Sequence, residues 1–239
     1  MAADPEGRVA ALARYPVKST TGEQLAEVLV DQRGCAGDRL WSVRDTDGRF
    51  GSGKTNRRFR RMDGLLELVA TYDGDTPVIG FPDGRRLRGD EAGVDEALSR
   101  HVGRPVSLAR EDDVSHFDEG PLHLVTTTSL ATLARARGGQ VDWRHTRANL
   151  LVDTTGHGFP EQAWVGRRLR VGPEVVLRVR GLMPRCVMVD AAQDGLPGDP
   201  GLLRVITEVS AGTLGVWADV EVAGRLRVGD DVGPGQDPV

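Results

Sequence analysis

The chain has 239 residues, of which 39% are hydrophobic and 28% charged, with 31 glycines and 13 prolines. This composition excludes collagen-like, coiled-coil and disordered classes and leaves a turn-rich globular protein. Its 31 basic and 35 acidic residues sum to a net charge of −4, a field with no general attraction for nucleic acid or an anionic membrane.

In chain order, Met1 to Gly7 is short, polar and acidic, and no later apolar run approaches the ~18 residues a membrane span needs, which predicts a soluble cytoplasmic protein. Short apolar runs then alternate with turn chemistry: Val9 to Leu12, Leu25 to Val30, Trp41 to Val43, Leu65 to Thr71, Val78 to Phe81 and Arg85 to Leu87, all read as strands. Asp45-Thr46-Asp47-Gly48 and Pro82-Asp83-Gly84 are connections of the kind that close antiparallel hairpins. Val94, Leu98 and Val102 stand at helical spacing and predict an amphipathic helix over Asp90 to Val102. A strand at Val106 to Ala109 follows, and the polar run Glu111 to Gly120 reads as a domain boundary, giving domains 1–110 and 111–239.

The second half opens with a strand at Leu122 to Thr126 and a helix from Ser129 to Arg137, capped by Thr128 or a nearby hydroxyl. Strands are expected at Leu150 to Val152, Arg168 to Val171, Val175 to Val179, Val187 to Asp190, Val216 to Val222 and Leu226 to Val228, with Ala223-Gly224 as a tight connection. The whole reads as mainly antiparallel β, a barrel or a pair of barrel-like sheets with two or three short outer helices.

Three local features bear on chemistry. Gly48 to Thr55 fits the phosphate-loop pattern G-x-x-x-x-G-K-[ST] at every position. That pattern works only between a buried parallel strand and a helix N-terminus, whereas here a hairpin turn precedes it and an arginine-dense stretch follows. Five basic residues and no acid lie between Lys54 and Arg61, either an anion-facing patch or a solvated loop. Pro184-Arg185-Cys186 sets one of only two cysteines beside a guanidinium, either a small buried filler or a thiol for soft-metal or sulfur chemistry. The two cysteines offer no disulfide framework, and the five histidines form no ligand pair, so a metal cage built from protein alone is not expected.

Dispersed motifs carry more. Tyr15-Pro16-Val17-Lys18-Ser19 and Gly37-Asp38-Arg39-Leu40-Trp41 are followed by Thr126-Thr127-Thr128-Ser129-Leu130 and Arg147-Ala148-Asn149-Leu150. Glu161 then stands three residues before Trp164, ahead of Pro184-Arg185-Cys186 and Leu226-Arg227-Val228-Gly229-Asp230. In order and spacing the chain resembles a MOSC domain preceded by the MOSC N-terminal β-barrel domain, as in molybdenum cofactor sulfurases and the mitochondrial amidoxime reducing component. The resemblance spans Val9 to Val232.

It implies a β-barrel pair that binds the molybdenum cofactor, Mo-molybdopterin, with Cys186 as the metal's protein ligand or, alternatively, as a persulfide carrier. Lys18 and Ser19 match positions that hold the cofactor phosphate, and Arg39 matches an arginine that reaches the cofactor; on residues alone these are equally a strand end and an ordinary Asp38–Arg39 pair. Thr128 and Ser129 match a hydroxyl pair at a helix start, where capping alone is the competing reading. Arg147 and Asn149 match an Arg-Pro-Asn run, with Ala148 where proline is frequent and Thr146 where an aromatic is frequent. Arg185 flanks the cysteine, Glu161 and Trp164 are assigned to structure, and Cys35 to packing.

The implied activity is reduction of an N-hydroxylated small-molecule substrate by oxygen-atom transfer. No haem-attachment motif, iron–sulfur cysteine set or dinucleotide fingerprint is present in the sequence, so electrons are expected from a separate ferredoxin- or flavoprotein-type donor. The alternatives are a sulfur-carrier or cofactor-handling protein using a Cys186 persulfide, and a cofactor-free anion-binding module. Gln193 to Leu202, rich in Gly and Pro, is the expected rim of the substrate site.

Overall fold

The computed structural model describes residues 6–193 and 195–235. Seven strands close a barrel in the order Leu150–Asp153, Leu122–Thr126, Thr213–Val222, Val175–Pro184, Arg168–Val171, Asp231–Pro234 and Gly7–Arg14, the last pairing back to the first. All neighbours are antiparallel except Leu122–Thr126 with Leu150–Asp153. That parallel pair requires a crossover, which the second helix, Thr127–Arg137, supplies.

Alternation fills the barrel. Leu169 faces Leu177 and Val171 faces Val175 across one pair, Val9 faces Val152 and Leu12 faces Leu150 across another, and all eight are buried in one core with Leu122, Leu124 and Trp164. Trp164 closes this core and donates its indole N–H to Glu6 at 2.6 Å. Cys35 lies in the same core, where burial pushes its thiol well above the ordinary range. The strand read at Val9 to Leu12 thus serves the barrel built by the second half of the chain.

Between the barrel's first strand and its return, the chain makes a three-stranded sheet (Val69–Asp73, Thr76–Gly80, Arg86–Arg88) and a four-stranded one (Trp41–Asp45, Phe50–Ser52, Phe59–Arg61, Val106–Arg110). Val43, Leu65, Leu68, Ile79 and Phe81 form their shared core with the first helix, Val94–Val102, which inserts Val94 and Leu98. This helix starts later than the Asp90 expected because Gly93 sits at φ 97, in the left-handed region, and breaks the turn before it. A third core joins the second helix to a third, Leu202–Ser210, through Leu130, Leu133, Leu202 and Ile206.

Several expectations are corrected. Val187 to Asp190 is a 3-10 turn, not a strand: the Val189 amide bonds back to the Cys186 carbonyl at 3.1 Å, and only Val189 of the run is buried, so the burial is not that of a two-sided strand. Ala223-Gly224 does not join a hairpin, because Gly224–Arg227 leaves the barrel to pair with Glu27–Asp31, Leu226 opposite Val28. Leu25 to Val30 divides at Ala26, its first part on the barrel edge and its second in that small sheet. Leu65 begins a 3-10 turn, and the strand starts at Val69. The helix Leu202–Ser210 stood inside no expected element; its apolar spacing was masked by the Gly- and Pro-rich segment before it.

The phosphate-loop pattern ends as a hairpin. The Gly48 amide donates to the Asp45 carbonyl at 2.9 Å, Phe50–Ser52 returns antiparallel to Trp41–Asp45, and the next element after Lys54 is the strand Phe59–Arg61 rather than a helix. No helix of the described residues is long and apolar enough to cross a membrane.

Candidate functional site

A cavity of about 300 Å³ opens where the barrel meets the four-stranded sheet. Five cationic side chains line it (Lys18, Arg39, Lys54, Arg147 and Arg185) against two carboxylates, Asp118 and Glu119. Ser19, His123, Asn149 and Cys186 complete the lining that bears on chemistry.

The backbone itself is unusual here. Four non-glycine residues of the described chain have positive φ: Ser19 (65°), Arg39 (49°), Arg147 (54°) and Ala211 (48°). Three of the four line this cavity. Left-handed backbone at a side-chain-bearing residue costs on the order of 1 kcal/mol or more, and such positions concentrate at functional sites. Gly37, at φ 80°, opens the turn into Arg39; a Cβ there would lie 2.7 Å from the Tyr72 ring.

Tyr15 organises the cations. Its ring lies between two guanidiniums, Arg39 at 4.7 Å and Arg147 at 4.4 Å from the centroid, and its hydroxyl donates to the Ala148 carbonyl at 3.2 Å. Fully buried Asp38 accepts from the Tyr15 amide at 2.8 Å and pairs with Arg39, whose other terminal nitrogen donates to the Arg147 carbonyl at 3.0 Å. Arg39 is therefore held on three sides. Arg147 and Arg185 differ. Neither terminal nitrogen of Arg147 finds an acceptor among the described residues, nor does Nε of Arg185, although Arg185 donates from its terminal nitrogen to the Thr146 carbonyl at 2.5 Å.

Burial pushes the guanidiniums of Arg147 and Arg185 down to about 10, so both remain protonated near neutrality. Burial likewise brings Lys18 down to about 8, partly opposed by Asp118, which accepts from its ammonium at 2.7 Å; the His116 carbonyl accepts a second bond at 2.7 Å. His123 is held well below its ordinary range by burial and by Arg185, and its Nε2 lies 3.3 Å from the Leu214 carbonyl, so it is a neutral imidazole donating there. Burial also lowers His116, to about 4. Since Arg44 can only donate to its Nε2, at 3.1 Å, the proton sits on Nδ1, bonded to the Arg39 carbonyl at 2.9 Å.

Of the residues singled out from sequence, Lys18, Ser19, Arg39, Arg147, Asn149, Arg185 and Cys186 line this cavity. Within it, Asn149 spends its amide on bracing, accepting from the His123 amide at 3.2 Å and donating to the Ala13 carbonyl at 3.3 Å. Ser19 donates to the Gly51 carbonyl at 3.0 Å. Thr128 and Ser129 lie elsewhere. Ser129 donates to Glu161 at 2.5 Å, Thr126 to the same carboxylate oxygen at 2.7 Å, and Thr128 to the Thr154 carbonyl at 2.9 Å. The cap itself is Thr126, whose hydroxyl accepts from the Ser129 amide at 3.1 Å. The expected ligand pair is thus a helix start tied to a buried carboxylate and to Thr154, because these hydroxyls turn to Glu161 and Thr154 and not to the cavity.

The basic run is mostly consumed nearby: Arg58 bonds the Ser115 and Phe117 carbonyls, Arg60 pairs with Asp45, Arg61 with Asp63, and Lys54 alone of the run reaches the cavity. The segment Gln193 to Leu202 does not line the cavity; Gln193 and Leu196 face smaller clefts beside Trp143 and His145, and Asp194 lies outside the described residues. Sequence reasoning missed His123 and Asp118, while Lys54 stood in the basic run read as an anion-facing patch or a solvated loop. His123 carried a signal, a polar side chain in the apolar run Leu122-His123-Leu124, whereas Asp118 lay in the stretch read as a boundary. That stretch folds over the cavity, with His116 buried and Phe117 to Gly120 in its wall.

A MOSC domain family model matches residues 101–233, and a MOSC N-terminal beta barrel domain model matches residues 6–96. The chain belongs to the MOSC domain family. MOSC domains are associated with molybdenum cofactor binding and are linked to molybdenum cofactor sulfurase-like proteins. Among solved structures, the chain is similar to the YUAD protein from Bacillus subtilis, at 15% identity and a TM-score of 0.50, over 95% of this chain and 93% of that one. This likeness shows the fold alone. YiiM from Geobacillus stearothermophilus is matched over 48% of this chain and 54% of that one, at 11% identity and a TM-score of 0.39. No curated protein matches.

The residues present fit an anionic, soft-metal cofactor. The buried guanidinium nitrogens without acceptors are donors directed at an absent acceptor, the cation excess suits a phosphate and a heterocycle rich in oxygen, and Cys186 is the single thiol of the lining. Among the described residues no cluster of three or more His, Cys, Asp or Glu is placed to hold an ion, so a metal at Cys186 would bring further ligands of its own.

Proposed function

We propose that this MOSC protein is a molybdenum cofactor-dependent oxidoreductase that reduces N-hydroxylated substrates with electrons from a separate ferredoxin- or flavoprotein-type donor. The observation that carries the reading is the buried pair Arg147 and Arg185, with guanidinium nitrogens that lack acceptors in the described chain, in the same cavity as Cys186. A buried charge without a partner is costly, and its retention is accounted for when an anion completes it. When bound, the cofactor supplies the two-electron oxygen-atom transfer.

The chain's own part is binding and orientation. Lys18 and Lys54 offer point charges to a phosphate, Arg39, Arg147 and Arg185 offer planar donors, and Cys186 offers a soft sulfur ligand. Tyr15, Asp38 and Asn149 position these groups without donating to the cavity, since their polar atoms are spent on Ala148, Arg39, Ala13 and His123. His123, neutral and bonded to Leu214, adds no charge of its own. With both cysteines free, the reading includes a reducing, cytoplasmic setting.

The test is elemental analysis for molybdenum together with fluorescence of the oxidised pterin, on protein from a host that makes the cofactor. Stoichiometric metal and pterin, lost together in Cys186→Ser, are expected. Sulfane sulfur on Cys186 with neither metal nor pterin would replace the reading with a persulfide carrier.

A further inference from the structure

Beside the cation-lined cavity lies a second pocket of about 200 Å³. The two share Ser19, Ser52 and Met188 as a common wall, so they adjoin. They differ in charge. The second has Met62, Leu65, Leu66, Val187, Met188 and Ala192 in its lining, and its charged residues are on the exposed rim: Arg61, paired with Asp63 at 2.8 Å, and Glu67. Met62, Leu65 and Leu66 are themselves buried, which makes the floor a rigid part of the fold.

One 3-10 turn serves both spaces. Cys186 precedes it and faces the cation cavity, while Val187 and Met188, its first two residues, line the apolar pocket. Gly53 packs against this wall: a Cβ there would lie 2.3 Å from the Met188 sulfur and would push that side chain aside. Val187, a large apolar side chain 52% exposed, stands in the lining with no protein packed over half its surface.

We infer that the apolar pocket formed by Leu65, Leu66, Val187, Met188 and Ala192 is a substrate subsite that takes the hydrocarbon body of an amphipathic substrate whose polar, N-hydroxylated end lies by Cys186. The polar end rests on the function proposed above; the hydrocarbon preference rests on the pocket alone. Because the charged residues of the pocket stand on its exposed rim and its floor is apolar, it selects by burial of apolar surface, and affinity rises with chain length until the space is filled.

The experiment is calorimetric titration of the purified full-length protein with n-alkyl hydroxamic acids from acetohydroxamic to octanohydroxamic acid. Each buried methylene tightens binding by up to about fourfold. The expected series spans about tenfold or more, and Ala192→Phe, which fills the pocket from an exposed position, flattens it. Val187→Asp, at a site too exposed to endanger folding, does the same by placing a charge in the lining. A flat series in the unaltered protein, no binding of any member, or a gradient that both variants leave intact overturns the subsite. Molybdenum and pterin measured on the same sample keep the two readings apart: metal and pterin with a flat series removes the subsite alone, and a gradient without them removes the proposed function alone.

Discussion

Arg147 offers the sharpest test of the site, because its two roles predict effects of opposite sign. In the cofactor-free chain it is a buried guanidinium without acceptors at its terminal nitrogens among the described residues, pushed down to about 10 by burial. It is charged at pH 7 in both the folded and unfolded states, so the depression is a folding penalty on the order of 3 kcal/mol. The penalty is present below the folded value of about 10 and relieved as pH rises from there toward the ordinary guanidinium range. Replacement by methionine removes that penalty and forfeits the stacking on Tyr15, worth about 1 kcal/mol. The left-handed backbone at φ 54° and the carbonyl that accepts from Arg39 are unchanged by the swap. Arg147→Met is therefore expected to stabilise the cofactor-free chain by about 2 kcal/mol, a rise of roughly 4 to 8 °C in melting temperature for a protein of this size. The same variant is expected to lose most of its molybdenum and pterin when made in a competent host. Differential scanning calorimetry on cofactor-free protein and metal analysis on loaded protein read the two effects. A variant that melts lower while retaining its metal would refute the argument, showing that Arg147 is a structural cation already satisfied by the fold.

Lys18 sets a pH dependence. Its folded value of about 8 lies below the ordinary 10.5, so its charge weakens the fold below pH 8 and this cost disappears as pH rises toward 10.5. Sulfate affinity, which needs the charged ammonium, is expected to fall between pH 7 and 9 in titration calorimetry, and Lys18→Met should abolish that fall; a pH-independent affinity in the unaltered protein contradicts the assignment. Ser129→Ala removes a buried hydrogen bond to the Glu161 carboxylate and should cost about 1 to 3 kcal/mol in denaturant unfolding, with molybdenum content unchanged. Loss of metal without loss of stability would return Ser129 to the site. Leu98→Ala, at a fully buried position of the first helix, should cost about 2 to 5 kcal/mol by the same assay, since the rigid sheets beneath it cannot collapse into the space; a loss under about 1 kcal/mol would mean that the helix packs loosely.

Much of the architecture was legible in the chain because it is written in neighbouring residues. The limits of Leu122–Thr126 and Arg168–Val171 follow from apolar runs ended by turn residues, and the hairpins at Asp45 to Gly48 and Pro82 to Gly84 follow from Asp-Gly chemistry. The short run Val187 to Asp190 was not legible, because three apolar residues and an aspartate fit a strand or a turn equally until burial chooses. Motif order identified the family and pointed to seven side chains that line one cavity. Helix-start hydroxyls have the same local signature whether they cap or bind, which is why Thr128 and Ser129 could be placed only by seeing their partners Thr154 and Glu161.

The sequence by itself determined the strand-rich class, the turns and the identity of the family, since propensity and spacing act over a few residues. Only the tertiary structure decided that Gly7–Arg14 closes the second half's barrel, that the polar stretch around His116 and Asp118 is a wall of the cavity, and that Tyr15 stands between Arg39 and Arg147. Strand partners and the burial of a charge depend on residues far apart in the chain, and desolvation has no local signature. Arg147 and Arg58 are both arginines in sequence. The fold gives Arg58 two carbonyls and leaves Arg147 without an acceptor for its terminal nitrogens, and that difference is what marks the site.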